Sequence, residues 1–509
     1  MKNLVVINVG DGQCFSRRLG GRSVFERVLD YARRFGPGGD VVVAGFGDFP
    51  GEEGLRRVVF EGPTDRALVR ALSDVSAGYD NIVYVWGDSP FLDGDLSLRM
   101  LENHVRYFAH YTFADGYPLG VAPEIVSVRT LPVLAALCRE PFGVLGRETL
   151  FTLIQKDINA FDLETELSPK DMRLLRASLT ADTRRNFLVC ERLAALVPFA
   201  PEGGADSGEV LRVLEEKPEI MRTLPAYVGV QITGGCPQSC VFCPYPRMGA
   251  SAGGEGGGAG TGTGTGAMPV ERFERIVEKV EAFCGDAVIG VSLWGEPSFH
   301  GEFARLAECV AKRGNLSLLV ETSGIGWSDE ALRETVGLLG ERVTFIVSLD
   351  AAEAGLYERL RGRGFEEALG RVRFFLDEFP ERLYVQALRM MDNEESMESF
   401  YRAWKEKTPR LIIQKYDWFC GFLPQRKVTD LSPLSRFPCR HLQRDLSILM
   451  DGTVPLCRED ITAGRVLGNI FSDSLETIWQ RGGVAYREHL QKNYGGICGN
   501  CDEYYTYNF

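Results

Sequence analysis

The chain lacks any uninterrupted apolar run near the ~18 residues that span a membrane, so no membrane partner is expected. It lacks a cationic excess: 57 Lys and Arg stand against 70 Asp and Glu, a formal net charge of −13 at pH 7. A surface of that sign repels a phosphate backbone, so no nucleic acid partner is expected. No secretory leader is expected: Lys2–Val9 is a short apolar run that breaks at Gly10-Asp11-Gly12 and reads as a first β-strand. Without a leader, the 13 cysteines, an odd number, favour a reducing cytoplasmic setting and metal or cluster ligation over a disulfide framework. The Gly-rich tract 249–267 lacks the preceding strand and the following Lys-Ser/Thr of a phosphate loop. Its Gly, Ala, Ser and Thr bury too little surface to order it, and it reads as a flexible insertion.

What is present is ordinary for a globular protein of two to four domains: 509 residues, 45% hydrophobic and 25% charged. The chain is organised around Cys236-Pro237-Gln238-Ser239-Cys240-Val241-Phe242-Cys243, directly after the β-rich run Tyr227–Thr233. This reads as a strand delivering three thiolates on a tight loop. A structural zinc wants four protein ligands, and a cubane [4Fe–4S] cluster is usually held by four thiolates. Three thiolates leave one iron open to a substrate or cofactor. On spacing alone, a zinc clip, a disulfide and unrelated thiols stay open as alternatives.

Six apolar strand candidates recur from there: Tyr227–Thr233, Val288–Leu293, Leu316–Glu321, Val343–Leu349, Leu383–Leu388 and Leu411–Lys415. Helical patterns lie between them; Val270–Phe283 puts Phe273, Ile276, Val277 and Val280 on one face. Repeated βα units with right-handed crossovers curl toward a barrel, with function at the strand C-termini. There stand Trp294-Gly295-Glu296-Pro297, Glu321-Thr322-Ser323-Gly324 and Ser348-Leu349-Asp350, then Tyr357 and Arg361-Gly362. With the three cysteines and Phe242, these segments resemble the radical S-adenosylmethionine (radical SAM) superfamily. The resemblance implies a partial (β/α)6 TIM barrel. It implies that Cys236, Cys240 and Cys243 hold a [4Fe–4S] cluster whose open iron chelates SAM and cleaves it reductively to a 5′-deoxyadenosyl radical. By the same resemblance Phe242, Gly295, Glu296, Pro297, Ser323, Ser348 and Arg361 bind SAM. Glu296 belongs to the segment that clamps its amino group, and Arg361 is a partner for its carboxylate.

In residues 1–200, strand runs Leu4–Val9, Asp40–Ala44 and Asn81–Trp86 alternate with helical patterns such as Ser23–Arg34, an α/β layer with a parallel sheet. Gly20-Gly21-Arg22-Ser23-Val24-Phe25, Asp88 and Asp115-Gly116-Tyr117-Pro118 resemble the nucleotide-sugar cytidylyltransferases. That implies a GT-A/Rossmann-like fold, with Asp88 where the family binds metal. The phosphate loop is shortened to Asp11–Arg18 and Arg22 stands for a lysine, so the domain is expected to be degenerate, binding or scaffolding rather than transferring nucleotides. Leu150–Ala200 reads as mostly helical, with a helix start at Ser168-Pro169. Pro198–Gly208 reads as a linker and Glu209–Thr223 as a helix leading onward.

Beyond residue 420, Leu446–Met450 and Val454–Leu456 read as a β-hairpin around Asp451-Gly452. It would gather Cys439 and Cys457 with the knuckle Cys498-Gly499-Asn500-Cys501, four thiolates for zinc or a closed [4Fe–4S] cluster. With Gly468-Asn469-Ile470 and Leu475–Trp479, the pattern resembles the SPASM/Twitch extension of radical SAM enzymes. No cysteine follows Cys501, so the resemblance implies one auxiliary [4Fe–4S] cluster on Cys439, Cys457, Cys498 and Cys501. Cys420 is a spare, and Cys14, Cys138, Cys190, Cys284 and Cys309 read as ordinary buried thiols.

The whole arrangement resembles the spiro-SPASM protein family. The expected order is a nucleotidyltransferase-like α/β domain over 1–200, a linker and helix over 201–224, the radical SAM partial barrel over 225–420, and the small cysteine-rich domain over 421–509. The expected function is hydrogen abstraction from a peptide, protein or small-molecule substrate, with the auxiliary cluster accepting the electron and a flavodoxin- or ferredoxin-type donor supplying the first one. The alternative is a non-catalytic iron–sulfur electron-transfer or scaffold protein whose front domain binds a nucleotide or sugar nucleotide.

Overall fold

The computed structural model describes all residues except 11, 36–39, 48, 51–53, 141, 202, 249–265, 431 and 507–509. Nearly all of the Gly-rich tract therefore lies outside the described residues. The chain divides into two compact units, Met1–Thr223 and Leu224–Phe509. Among the described residues no helix is long and apolar enough to cross a membrane.

The first unit is built on seven strands: β1 (Asn3–Asn8), β2 (Val41–Gly45), β3 (Arg56–Val59), β4 (Asn81–Trp86), β5 (Tyr111–Asp115), β6 (Glu124–Ser127) and β7 (Leu163–Leu167). They lie in the order β3-β2-β1-β4-β6-β5-β7. All neighbours are parallel except those of β6, which runs antiparallel to β4 and β5. The central strands are buried because they are continuous β-branched runs covered on both faces. The helix Val24–Arg33 starts where Ser23 and Glu26 form a reciprocal capping box.

Three expectations for this unit are corrected. Leu163–Leu167 is a strand inside the segment read as helical: its Leu-Glu-Thr-Glu-Leu has good helix formers, but pairing with β5 overrides them. Ser168-Pro169 starts no α-helix; a single 3-10 turn, Arg173–Leu175, follows. Pro198–Gly208 is no linker. An added Cβ on Gly204 would strike the Leu92 carbonyl, and one on Gly203 would strike the Tyr31 backbone, so these glycines mark close packing. The helix Ser207–Glu216 then buries Val210, Leu211, Val213 and Leu214 in the same core as Phe25 and Leu96, and the boundary moves to residue 223.

The second unit continues with β8 (Tyr227–Val230), β9 (Ala287–Gly290), β10 (Leu316–Thr322), β11 (Val343–Ser348), β12 (Leu383–Arg389), β13 (Leu411–Lys415) and β14 (Asp445–Ile448). All pair in parallel, in the order β13-β12-β11-β10-β9-β8-β14. The two edge strands do not pair, so the barrel is partial. Alternate residues such as Val228, Ile289, Leu318, Phe345 and Val385 point outward into the core shared with the surrounding helices. The inner positions carry Tyr227, Ser317, Glu321, Ser348 and Gln386; Tyr227 and Ser317 align through Val288, and Ser348 aligns with Gln386.

The expected hairpin is corrected here. β14 is a seventh barrel strand alongside β8. After a tight turn at Asp451-Gly452, Thr453–Pro455 (β15) pairs antiparallel with Val466–Asn469 (β16) instead. Apolar alternation fixed which residues face inward, and long-range pairing decided the partner.

Candidate active site and auxiliary cluster site

Strand β8 ends in a loop that turns back on itself to present Cys236, Cys240 and Cys243. Gly234 N–H donates to Gly266 O at 2.8 Å, and Glu296 N–H donates to Gly235 O at 2.7 Å, which pins the loop entry to the next barrel segment. Gly295 has φ +82, and a Cβ there would collide with the Thr233 carbonyl oxygen. Only glycine lets the two strand ends approach so closely. On the far side, Ser239 N–H donates to Arg361 O at 3.1 Å and Val241 N–H to Leu360 O at 2.9 Å. The C-terminus of the helix Ala354–Arg361 thus uses its free carbonyls to hold the loop.

Cys236 is exposed, Cys240 buried and Cys243 half-buried. Burial, reinforced by the neighbouring Cys240, pushes the Cys243 thiol up to about 12. Burial also raises Cys240 to about 11, against the pull of Arg361 and with Asp350 and Cys236 adding to the rise. The three sulfurs therefore repel one another as thiolates, and a metal cluster is what relieves that repulsion. The donor set fits a cluster with three protein thiolates.

Arg361, expected at the SAM carboxylate, is engaged behind the loop. Its side chain is 7% exposed and pairs with Asp350, itself 2% exposed. Its Nε donates to Gln238 Oε1 at 2.6 Å, and the Gln238 amide donates to Tyr357 Oη at 3.0 Å. The guanidinium lies 5.6 Å from the centre of the Phe242 ring. Burial lowers the Arg361 pKa, but Cys240 and Asp350 outweigh it and raise it above the ordinary value. Asp350 sits at φ +62 and accepts the Leu388 N–H at 2.6 Å. These contacts tie Arg361 and Asp350 to the cysteine loop through Gln238 and to the strand end at Leu388.

Glu296 is buried, and its carboxylate accepts the Ser323 N–H at 2.8 Å and the Thr322 hydroxyl. Burial raises its pKa while those donors lower it. Pro297 opens the short turn Pro297–Phe299. Ser323 Oγ accepts the Ile325 N–H at 3.3 Å. Ser348 Oγ accepts from Gln386 Nε2 at 3.1 Å, and the same amide donates to Glu321 at 2.7 Å. Glu296, Ser323 and Ser348 thus gather at neighbouring strand ends. Sequence reasoning gave no role to Gln238, Asp350 and Thr322, although all three lie inside the quoted motifs.

The four later cysteines line one pocket with Arg436, His441, Glu459 and His489. Burial raises Cys439, Cys457 and Cys498, the last to about 11, and Cys501 adds to each. The thiols surround the pocket and do not close on one point. Among the described residues, the one set of three metal-binding groups within 4.8 Å of one another is Asp417, Asp502 and Glu503, whereas thiolates on a single tetrahedral zinc stand about 3.8 Å apart. The wider spacing fits a cluster. The acidic set is neutralised by cations: Lys415 lies 3.2 Å from Asp502 and also pairs with Glu503, and Arg458 lies 3.0 Å from Asp417. A fifth thiol, Cys420, is half-buried and lies outside the lining of that pocket.

In the first unit, Asp88 does end a central strand. Its carboxylate is paired with Arg147, which also lies 3.3 Å from Asp182 and 4.9 Å from the Trp86 ring centre. The Arg147 guanidinium thus already neutralises the Asp88 carboxylate.

These features define a class: a protein with a three-thiol loop at the mouth of a partial parallel barrel, joined to a four-thiol auxiliary site. The radical SAM superfamily model matches residues 230–403, and the SPASM iron–sulfur cluster-binding domain matches residues 439–502. An uncharacterized protein of Treponema pallidum is 36% identical over 379 residues, 71% of this chain and 98% of its own length. Two solved structures are similar. SuiB of Streptococcus suis bound to precursor peptide SuiA has 13% identity and TM-score 0.41, covering 70% of this chain and 80% of that one. A cytidylyltransferase from Leptospira borgpetersenii has 16% identity and TM-score 0.37, covering 45% and 99%. The chain belongs to the radical SAM superfamily and carries a SPASM domain. It is a radical SAM enzyme that uses a [4Fe–4S] cluster, SAM and auxiliary iron–sulfur.

Proposed function

We propose that the protein is a maturase or oxidoreductase that abstracts hydrogen from a peptide or protein substrate and delivers the substrate electron to one auxiliary cluster. The observation that carries this reading is the presence of two separate thiol sites in one compact unit: three cysteines on a loop at the barrel mouth, and four around a pocket. Cys236, Cys240 and Cys243 would hold the SAM-binding cluster, and Cys439, Cys457, Cys498 and Cys501 the auxiliary one. When bound, the first cluster and SAM supply the 5′-deoxyadenosyl radical that takes the hydrogen atom. The chain's own residues position these groups. Arg361 and Asp350 fix the cysteine loop, and Gly295 sets the distance between neighbouring strand ends. Glu296, Ser323 and Ser348 offer polar atoms to SAM, and Phe242 shields the loop. A peptide or protein substrate follows the SPASM architecture. A flavodoxin- or ferredoxin-type donor supplies the reducing electron.

For the first unit we propose nucleotide or sugar-nucleotide binding without metal-dependent transfer. The Asp88–Arg147 pair supports this, because it spends the metal-binding carboxylate on a fixed cation.

The test is anaerobic reconstitution with iron and sulfide, then dithionite and SAM, with 5′-deoxyadenosine measured by mass spectrometry. About eight irons per chain and deoxyadenosine that disappears in Cys240→Ala are expected. Eight irons without SAM cleavage would instead favour the electron-transfer or scaffold protein.

A further inference from the structure

We propose that the outer edge of strand β13 docks an extended stretch of the peptide or protein substrate by strand addition. This rests on the peptide reading above. The edge and the wall that faces it fall between the two matched family segments, which end at residue 403 and begin at residue 439. β13 is the last strand of its sheet, and among the described residues it pairs only with β12. Val385 N–H donates to Arg410 O at 3.0 Å, and the register runs on from Val385 opposite Leu411 to Arg389 opposite Lys415. Main-chain groups of successive residues point to alternate sides of a strand, so Arg410, Ile412 and Gln414 bond β12. The N–H and C=O of Ile413 and Lys415 point the other way. Ile413 is also 41% exposed, and such an edge is a template for a further strand.

A cavity of about 190 Å³ opens along this edge, with residues 413–416 as one wall and residues 427–430 as the other. The second wall is anchored from behind. Met391 N–H donates to Arg426 O at 2.9 Å, and Tyr416 Oη donates to Pro424 O at 2.7 Å. The groove is thus fixed before a ligand arrives, which spares part of the ordering cost of binding. Charge does not select the occupant. Lys415 lies 3.2 Å from Asp502 and also pairs with Glu503, Lys427 pairs with Asp502, and Arg389 donates to Glu394 at 2.7 Å. With these cations already matched, the groove offers main chain and the apolar surfaces of Ile413, Val428 and Tyr505. An extended backbone bonds such an edge, and its alternate side chains meet the apolar lining. Lys415 ties the groove to the auxiliary site, because its partner Glu503 stands two residues after Cys501.

The experiment uses reconstituted full-length protein and a random peptide library displayed on phage. Selected peptides are resynthesised, and binding is read by fluorescence anisotropy and by main-chain hydrogen exchange. Protection of the Ile413 and Lys415 N–H groups on binding is expected. Ile413→Pro removes the outward N–H and spares the β12 ladder, since an edge tolerates proline; it should bind about tenfold more weakly. Ile413→Val keeps the N–H and should stay within about fourfold of wild type. N-methylation of alternate peptide residues should weaken binding to the wild-type protein as Ile413→Pro does, and that comparison needs no variant to fold. Equal loss in Ile413→Val, or binding indifferent to N-methylation, overturns strand addition. Bound peptides that protect other segments overturn the β13 site and leave the peptide-substrate reading standing. A library that yields no binder overturns both.

Discussion

Changing Arg361 to Met tests whether this arginine supports the cysteine loop or serves the cofactor. The side chain is 7% exposed and its partner Asp350 2%, so Arg361→Met strands a buried carboxylate that keeps the Leu388 N–H but loses its counter-charge. Breaking a buried pair from one side costs about 3–5 kcal/mol. With a urea dependence near ~3 kcal/mol per molar for a unit of this size, the midpoint for residues 224–509 should fall by about 1 M or more. The second change is Asp350→Asn. Asn tolerates the left-handed backbone that Asp350 adopts at φ +62, and its carbonyl can still accept the Leu388 N–H. A neutral pair of similar shape is often no less stable than the buried ions it replaces. The double variant Arg361→Met/Asp350→Asn should therefore recover about 2–4 kcal/mol relative to Arg361→Met alone. The assay is urea unfolding under argon, followed by amide hydrogen exchange in peptides from residues 224–509, together with SAM binding by equilibrium dialysis. A positioning role predicts that SAM binding returns with stability in the double variant. Stability unchanged in Arg361→Met, with SAM binding lost and not recovered, would refute the reasoning and return Arg361 to the SAM carboxylate.

Gly295→Ala should lose the iron of the SAM-binding cluster and lower the melting temperature of the second unit, because positive φ costs about 1–2 kcal/mol and the new methyl collides with Thr233 O. Gly301→Ala, with open space around it, is the control and should match wild type in iron content and melting. In the first unit, Arg147→Ala should free Asp88 and create weak divalent-cation binding absent from wild type, read by isothermal titration with Mn2+. Burial raises Glu124 to about 7 from an ordinary 4.5, even though Tyr111 donates to it. The folded state therefore favours the protonated acid, so the first unit should lose stability as pH rises from about 4.5 to about 7, by at most ~1.4 kcal/mol per pH unit. Glu124→Gln should flatten that slope in differential scanning calorimetry.

The strands of the barrel were legible because each is a short apolar, β-branched run bounded by turn residues, and the cysteine spacings announced both thiol sites. What stayed hidden depended on contacts between distant residues. Asp445–Ile448 alternates like any half-buried strand, and its sequence cannot say that its partner is Tyr227–Val230, more than 200 residues earlier. The same blindness made Gly203 and Gly204 look like a linker, since a glycine that permits close packing and one that permits flexibility are the same letter. Arg361 shows the limit most sharply. Its place in the motif put it near the cysteine loop, where the fold does put it, but its role turned on Asp350. Arg361 closes the helix Ala354–Arg361, and a buried counter-charge lies within its reach. Here Asp350, left-handed just beyond Val343–Ser348, meets the guanidinium, and the Arg361→Met and Asp350→Asn variants decide between brace and cofactor ligand.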